Sequence, residues 1–502
     1  METRTSLWTG TSPETAYPVL ETRVTADVAV IGGGITGLST AYLLQEAGAS
    51  VIVVERDRIA TGTTGNTTAK LTSLHGLVYA SLLESLGEER ARLYGEAHEA
   101  AIQRVAEIVA ENGIDCAFER ATAYTYTEDP ERVPDIEAEV QAAKLLGLPA
   151  TITTDTPLPY PVRAAVSFSD QAQFHPRLYC LALAELITHR GGRIYENSAA
   201  LKISNARPGH LVRTTAGRIR AGHVVLATLL PFHDPAGLFA RTHPSRSYAL
   251  AAPIDGDGPL GMFLSSDKPS RSVRTHRSAG QTYLIVGGGG HKVGQEPDTH
   301  DQYAAIEAWA RERFGIDHVA WSWSAQDYMP ADNVPYIGHL LPGSDRLLVA
   351  TGFKKWGMTG GTVAAMLLRD LVLGRTNPWL PVFDANRIRL AASLPSLVRE
   401  DLDVVKQFVA RRVEPGAALS ALGADDGAVV DHDGAKLAVY RGADGRYHAL
   451  SARCTHLGCI VGYNQAERTW DCPCHGSRFD TEGRVLTGPA VANLEPRSLG
   501  EE

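Results

Sequence analysis

A chain of 502 residues with 44% hydrophobic and 21% charged content is long enough for about three domains of ordinary size. Its 48 basic and 57 acidic residues leave a net charge of −9, which excludes a global basic field for gathering nucleic acid or anionic lipid. No apolar run approaches the roughly 20 residues of a membrane helix. The opening METRTSLWTGTSPE has neither the basic start nor the apolar core of a secretory signal, so the cytoplasm is the expected compartment.

About two dozen residues, mostly polar, come first. The chain then turns sharply apolar at ADVAVIGGGITGLSTAYLLQEAGASVIVVER. Val28 to Ile31 read as a buried strand, Ile35 to Glu46 as a helix stopped by Gly48, and Val51 to Val54 as a second buried strand. This βαβ unit calls for a parallel sheet covered on both faces. Residues 80–112 read as alanine-rich helix, and 121–170 as strand and loop. A second block follows, with a helix from Arg177 to Arg190, a strand from Arg193 to Tyr195, a hairpin, and a strand from Val224 to Ala227. The Gly- and Pro-rich stretch 231–300 suits an antiparallel sheet. A third block has a strand from Leu347 to Ala350, a glycine turn, and a helix from about Thr359 to Leu373. Ala385 to Val413 read as a charged helical tether. Short strands follow, with hairpin turns at Asp433-Gly434 and Asp444-Gly445.

Gly32-Gly33-Gly34-Ile35-Thr36-Gly37 fits G-x-G-x-x-G between strand and helix. Gly32 permits the turn, Gly34 lets backbone approach a pyrophosphate, and Gly37 lets helix and strand pack closely. Glu55 closes the second strand, where a carboxylate accepts from ribose hydroxyls and repels a 2′-phosphate. A dinucleotide is the expected ligand. No second such unit exists for a nicotinamide nucleotide, because GGGG at 287–290 leads into HKVGQEPDT rather than a helix. The hydroxyl-rich TGTTGNTTAK at 61–70 could reach a ligand beyond the pyrophosphate. The helix start at about Gly357 to Thr359 could stabilise a reduced flavin ring.

Six cysteines are unevenly placed. Cys116 and Cys180 read as small buried hydrophobes. CTHLGC at 454–459 and CPCHGS at 472–477 give C-x-H and C-x-x-H pairs on two loops. A zinc site more often groups like ligands together. One Cys and one His per loop suits a two-iron cluster in which one iron takes both thiolates and the other both imidazoles.

At these residues the chain resembles two known families. From about 25 to 390 it is similar to the D-amino acid oxidase superfamily of flavoenzymes. The likeness rests on the glycine-rich unit, on DQAQFHPRLYCLALAELITHRGGRIYENSA, and on DNVPYIG…TGFKKWGMTGGTVAAMLLRDLVLG. It implies FAD and oxidation of C–N bonds by hydride transfer. Carried over by position, Gly32, Gly34, Gly37, Glu55 and Arg56 would meet the ADP half, and Ala200 the adenine through its backbone. Thr63, Thr64 and Asn66 would meet phosphates or ring, and Gly352, Gly357 and Met358 the pyrimidine side. Asn66 stands where some relatives attach FAD through histidine, so non-covalent FAD is expected. His75, Tyr328 and Lys354, with Lys355 and Trp356, are the catalytic candidates near the ring. The substrate-holding arginine and tyrosine of the amino-acid oxidases have no secure match, which leaves the substrate open.

From about 413 to 502 the chain resembles a Rieske domain. Cys454, His456, Cys472 and His475 match its ligands, and Cys459 and Cys474 the disulfide pair of the respiratory type. Ser477 matches a hydroxyl donor to a cluster sulfur, whereas Phe479 replaces a tyrosine donor. GPAVANL at 488–494 resembles the proline loop over the cluster.

The expected architecture is an α/β Rossmann-type FAD-binding domain with an inserted α+β substrate domain, plus a small all-β Rieske domain. The flavin part spans 1–395, with FAD-binding segments at about 25–78, 165–230 and 325–390 and substrate segments at about 79–164 and 231–324. A linker helix at 396–412 leads to the Rieske part at 413–502. The expected function is FAD-dependent dehydrogenation of an amine or amino acid, with electrons relayed singly through the 2Fe-2S cluster to an external acceptor. Reversed flow into a flavin reductase or hydroxylase, or a non-enzymatic redox sensor or carrier, are the alternatives. A Rieske oxygenase would need a clustered histidine pair for a mononuclear iron, and no two histidines lie closer than His448 and His456.

Overall fold

The β-branched runs at Val28–Ile31, Val51–Val54 and Val224–Leu226 are buried along their whole length, as strands covered on both faces must be. The computed structural model, which describes residues 4–296, 298–387 and 406–499, joins them in one eight-stranded sheet. Its order is Tyr336–His339, Leu347–Thr351, Arg218–Leu226, Arg23–Ile31, Val51–Val54, Arg193–Tyr195. All neighbours are parallel except the first pair, and a hairpin of Ala200–Asn205 and His210–Thr214 hangs from Arg218–Leu226. The three separated sequence blocks thus meet in one layer. Helix Ile35–Glu46, buried from Ile35 to Leu44, packs between helices Pro176–His189 and Gly357–Val372. A helix apolar on all sides needs such neighbours on every side.

The second sheet has nine strands, running from Trp321–Pro330 through Thr242–Ile254, Gln281–Lys292, Arg271–Ser278, Met262–Ser265, Glu119–Thr127 and Ala164–Gln173 to the two-residue edge Lys70–Leu71, with Ala150–Thr153 also paired to Ala164–Gln173. Lys70 lies four strand spacings from Arg271–Ser278, roughly 19 Å in a flat sheet. Its Nζ nevertheless reaches Ser272 Oγ, so the sheet is rolled. The roll is filled by the N-terminal segment. Leu7 and Trp8, on the short helix Leu7–Gly10, are fully buried against Ala249, Ala251, Ile285 and Trp323.

Five elements differ from the sequence expectation. The opening residues are not simply a polar lead, since Trp8 is core. The 121–170 stretch contains helix Val133–Leu145, started by Pro134 and buried at Ile136, Val140 and Ala143. Residues 231–300 are followed by helix His300–Phe314, closed by left-handed Gly315. Helix 80–112 is two helices, Tyr79–Leu86 and Glu88–Asn112, divided by Gly87 at φ +77°. Ala385 to Arg387 form a turn rather than the start of a tether. The expected linker helix falls largely outside the described residues, although 406–413 are helical.

The C-terminal part is all β. Asp426–His432, Ala435–Arg441 and Tyr447–Ser451 form one antiparallel sheet, and Gly462–Asn464, Thr469–Asp471, Arg478–Phe479 and Val485–Thr487 another. The turn at Asp433-Gly434 has φ of +47° and +73°, the mirror-image geometry that suits a twisted hairpin.

Candidate redox site

Where the two sheets of the flavin part meet, they enclose a cavity of about 1150 Å³. Its nucleotide end is made by backbone. Gly32 turns at φ +111°, and a Cβ there would stand 2.3 Å from the Ala227 carbonyl oxygen. A Cβ on Gly37 would stand 1.9 Å from Gly32 O. Gly34, Ile35 and Thr36 line the cavity, and the first turn of a helix carries amides with no intrahelical partner. Thr64 Oγ1 accepts from Ile35 N at 3.1 Å. Glu55 takes Gly33 N at 2.7 Å and Asp57 N at 3.1 Å, and burial raises its carboxyl against those amides. Arg56 and Ala200 also line this end.

The other predicted FAD residues divide. Thr63, Thr64, Asn66, Gly357 and Met358 line the cavity, whereas Gly37 and Gly352 stand behind its wall. Thr63 donates to Gln326 O at 2.9 Å. The Asn66 amide donates to the carbonyls of Thr61 and Gly62, which closes the 3₁₀ turn Thr63–Asn66.

The three catalytic candidates stand in different surroundings. His75 is buried, stacked on Trp356 at 4.7 Å, with Nδ1 2.7 Å from Tyr94 Oη and Nε2 2.8 Å from Thr72 O. Burial, then nearby His98, holds it well below the usual histidine range, and both ring nitrogens have partners. Lys354 lines the cavity, and burial lowers its amine to about 8. Tyr328 is buried outside the lining, on the side facing the Rieske part. Lys354 and Lys355 both have positive φ, +52° and +69°, a costly pairing for non-glycine residues. Asp327, which the sequence reading missed, holds that turn by accepting from Lys355 N. Its burial outweighs the amide bonds and raises it to about 6.

The cluster loops are two tight turns. Gly458 N donates to Cys454 O and Gly476 N to Cys472 O, with both glycines left-handed. Cys459 and Cys474 form a disulfide, while Cys454 and Cys472 are free, buried thiols. The rings of His456 and His475 lie 5.1 Å apart, and both Nδ1 atoms are buried without any partner. Two orphaned imidazole nitrogens and two free thiols on the same pair of loops are the donor set of a cluster with one all-sulfur and one all-nitrogen iron. Ser477 is fully buried beside Cys454, where its hydroxyl could donate to sulfur. The residues fit the group.

The Rieske part sits on the flavin part. Phe239 packs edge-on against both imidazoles, at 5.6 and 5.0 Å. Gln326 Nε2 donates to Gly476 O at 2.8 Å, and Tyr328 Oη to His475 O at 2.8 Å. A Cβ on Gly476 would lie 2.5 Å from Gln326 Nε2, so glycine permits this approach. Buried Arg246 pairs with Glu467 at 2.6 Å, and Arg56 donates to Leu486 O. Val485 to Gly488, Ala490 and Val491 themselves line the FAD cavity. None of these long-range contacts has a local sequence signal.

Among the described residues no helix is long and apolar enough to cross a membrane. Residues 27–371 match the model of the FAD dependent oxidoreductase family, and residues 415–497 that of the Rieske [2Fe-2S] domain. YhfW of Bacillus subtilis (strain 168), named as a Rieske 2Fe-2S iron-sulfur protein, is 37% identical over 98% of this chain and 97% of its own. The gamma-glutamylputrescine oxidoreductase of Escherichia coli (strain K12) is 24% identical over 76% of this chain and 89% of its own. The glycine oxidase structure from Geobacillus kaustophilus superposes with a TM-score of 0.62 at 19% identity, covering 73% of this chain and 99% of that one. The chain therefore belongs to the FAD dependent oxidoreductase family and carries a C-terminal Rieske domain, with FAD and a 2Fe-2S cluster as its cofactors.

Proposed function

We propose that the protein is a dehydrogenase of an amine or amino acid whose electrons leave through its own Rieske domain. When bound, FAD supplies two-electron acceptance as hydride and the cluster one-electron transfer. The observation that carries the reading is the single residue Gln326. Its carbonyl accepts from Thr63 in the flavin turn, and its side chain donates to Gly476 in the cluster loop. One rigid strand residue thus touches both cofactor sites. Phe239 and Tyr328 hold the histidine-bearing loops against the same wall. Cys454, His456, Cys472 and His475 would hold the cluster. Asn66 offers only an amide already bonded to two carbonyls, so FAD would be held without a covalent bond. The named activities of the similar proteins, oxidation of gamma-glutamylputrescine and of glycine, support a C–N substrate.

The test is an anaerobic screen of amines and amino acids against the purified holoprotein. At least one should bleach the flavin band and then produce the electron-spin signal of a reduced Rieske cluster. If none bleaches a flavin that dithionite still reduces, the reading fails. Trichloroacetic acid should release the flavin, and yellow colour retained in the pellet would contradict non-covalent binding.

A further inference from the structure

A second cavity, of about 880 Å³, opens where strand Glu119–Thr127 and the turn after strand Met262–Ser265 meet two helix ends. These are the start of Val133–Leu145 and the last turns of His300–Phe314. Part of its charged lining is paired within the protein, Arg132 with Asp135 at 3.2 Å and Arg313 with Glu128 at 3.0 Å. Arg271 is not. It is 7% exposed, lines the cavity, and has no carboxylate within ion-pair distance among the described residues. Its Nη1 donates to Ser270 O at 3.1 Å, Nε is buried without a partner, and Nη2 has no acceptor among the described residues. Burial lowers the guanidinium from the usual arginine range. A cation taken out of water with only neutral partners is unfavourable, and a planar carboxylate is the anion its fork fits.

Asp267, on the turn that leads to Arg271, is in the complementary state. It accepts from Thr127 Oγ1, from Glu128 N at 2.8 Å and from Ser265 Oγ at 3.4 Å, all neutral donors. No cation lies within ion-pair distance of it among the described residues, Arg271 included. One lining thus holds a cation without an anion and a carboxylate without a cation. Trp309 and Tyr126 add aromatic surface, and the Tyr126 hydroxyl is already engaged, 2.8 Å from Tyr160 Oη. None of the expected FAD residues lines this cavity. Lys268 and Pro269 nevertheless line both cavities, and a Cβ on Gly288 of the flavin cavity would stand 2.9 Å from Arg271 Nη1. The two cavities share a wall.

We propose that this cavity is a second ligand site, outside the flavin cavity, for an α-amino acid held as a zwitterion. Its carboxylate lies on Arg271, its ammonium on Asp267 and its side chain against Trp309. The ligand is bound there rather than oxidised, and the shared wall lets it act on the flavin cavity. The site stands on its own geometry, whatever the flavin oxidises. Two probes without a hydrogen on the α-carbon, which cannot give hydride from that carbon, are titrated calorimetrically into the holoprotein near neutral pH. They are α-methyl-L-phenylalanine and 2-aminoisobutyrate, one large and one small. At least one should bind, and its amide, which lacks the carboxylate, should bind about tenfold more weakly or worse. Arg271→Met should weaken the acid by about the same factor at unchanged FAD and iron content. Asp267→Asn should weaken it severalfold. Absence of binding by both probes overturns the proposal, as does equal binding of acid and amide. Unchanged affinity in Arg271→Met would place the probe in the flavin cavity and overturn it likewise. Where that variant does not fold, Trp309→Ala is read in its place, and unchanged affinity there has the same consequence.

Discussion

The two ends of the cavity are built by opposite means. The nucleotide end is backbone over a short stretch, with Gly33 and Glu55 in contact at a separation of 22 residues. The other end is side chains brought together from afar, Lys70 with Ser272 across 202 residues and Arg246 with Glu467 across 221. The Rieske part docks at that second end through Arg246 and also touches the nucleotide end through Arg56. The nucleotide end is therefore set where spacing is local, and the rest of the cavity where only the folded sheets bring residues together.

The largest effect should come from breaking the local end. Gly37→Val forces a side chain into Gly32 O, so the purified protein should contain no FAD and lose about 3 kcal/mol or more of stability. Normal FAD content in that variant would show that backbone spacing does not define this end.

At the distant end, Arg246→Leu strips one partner from a buried ion pair that spans the domains, at a cost of about 3–5 kcal/mol in urea unfolding followed at the cluster band. Desolvation alone would raise Glu467, but Arg246 and Arg478 outweigh it and hold the carboxyl at about 2, below its ordinary 4.5. Stability from such a group is complete above about pH 4.5 and lost as pH falls through about 2. The wild-type urea midpoint should therefore drop over that window more than that of Glu467→Gln. Parallel titrations of the two would remove the pair from the account.

Replacing Cys459 and Cys474 with serine opens a cross-link over 15 residues and should cost about 2–3 kcal/mol, with no ligand removed and iron content normal at low temperature. Tyr328→Phe should have the smallest effect. It leaves the buried His475 carbonyl without its 2.8 Å donor, about 1 kcal/mol in thermal melting, and FAD content unchanged. A loss of FAD in that variant would tie Tyr328 to the cavity itself.

What was legible follows the same division. The strand–glycine–helix unit announces itself because each glycine answers a backbone constraint within a few residues, and helix Ile35–Glu46 has the bounds its periodicity implied. The cluster loops are legible because four candidate ligands and the Cys459–Cys474 bridge fall between residues 454 and 475. Helix Val133–Leu145 was missed since its buried face is only Ile136, Val140 and small alanines amid acids. Trp8 was missed because four helical residues give no period to read. Lys70, Asp327, Phe239 and Gln326 carry no local mark at all. Their roles depend on a rolled sheet and a docked domain, both products of tertiary packing.

The central claim is that electrons reach the cluster from the flavin, and stopped-flow reduction of His456→Ala tests it most directly. The variant removes one of the two orphaned imidazoles and should abolish the cluster, while the nucleotide end keeps its own glycine-built frame and FAD. Anaerobic substrate should still bleach the flavin at near the wild-type rate, and turnover with a one-electron acceptor should collapse. A bleaching rate fallen to zero with FAD still bound would contradict the account, because it would make the cluster the entrance rather than the exit.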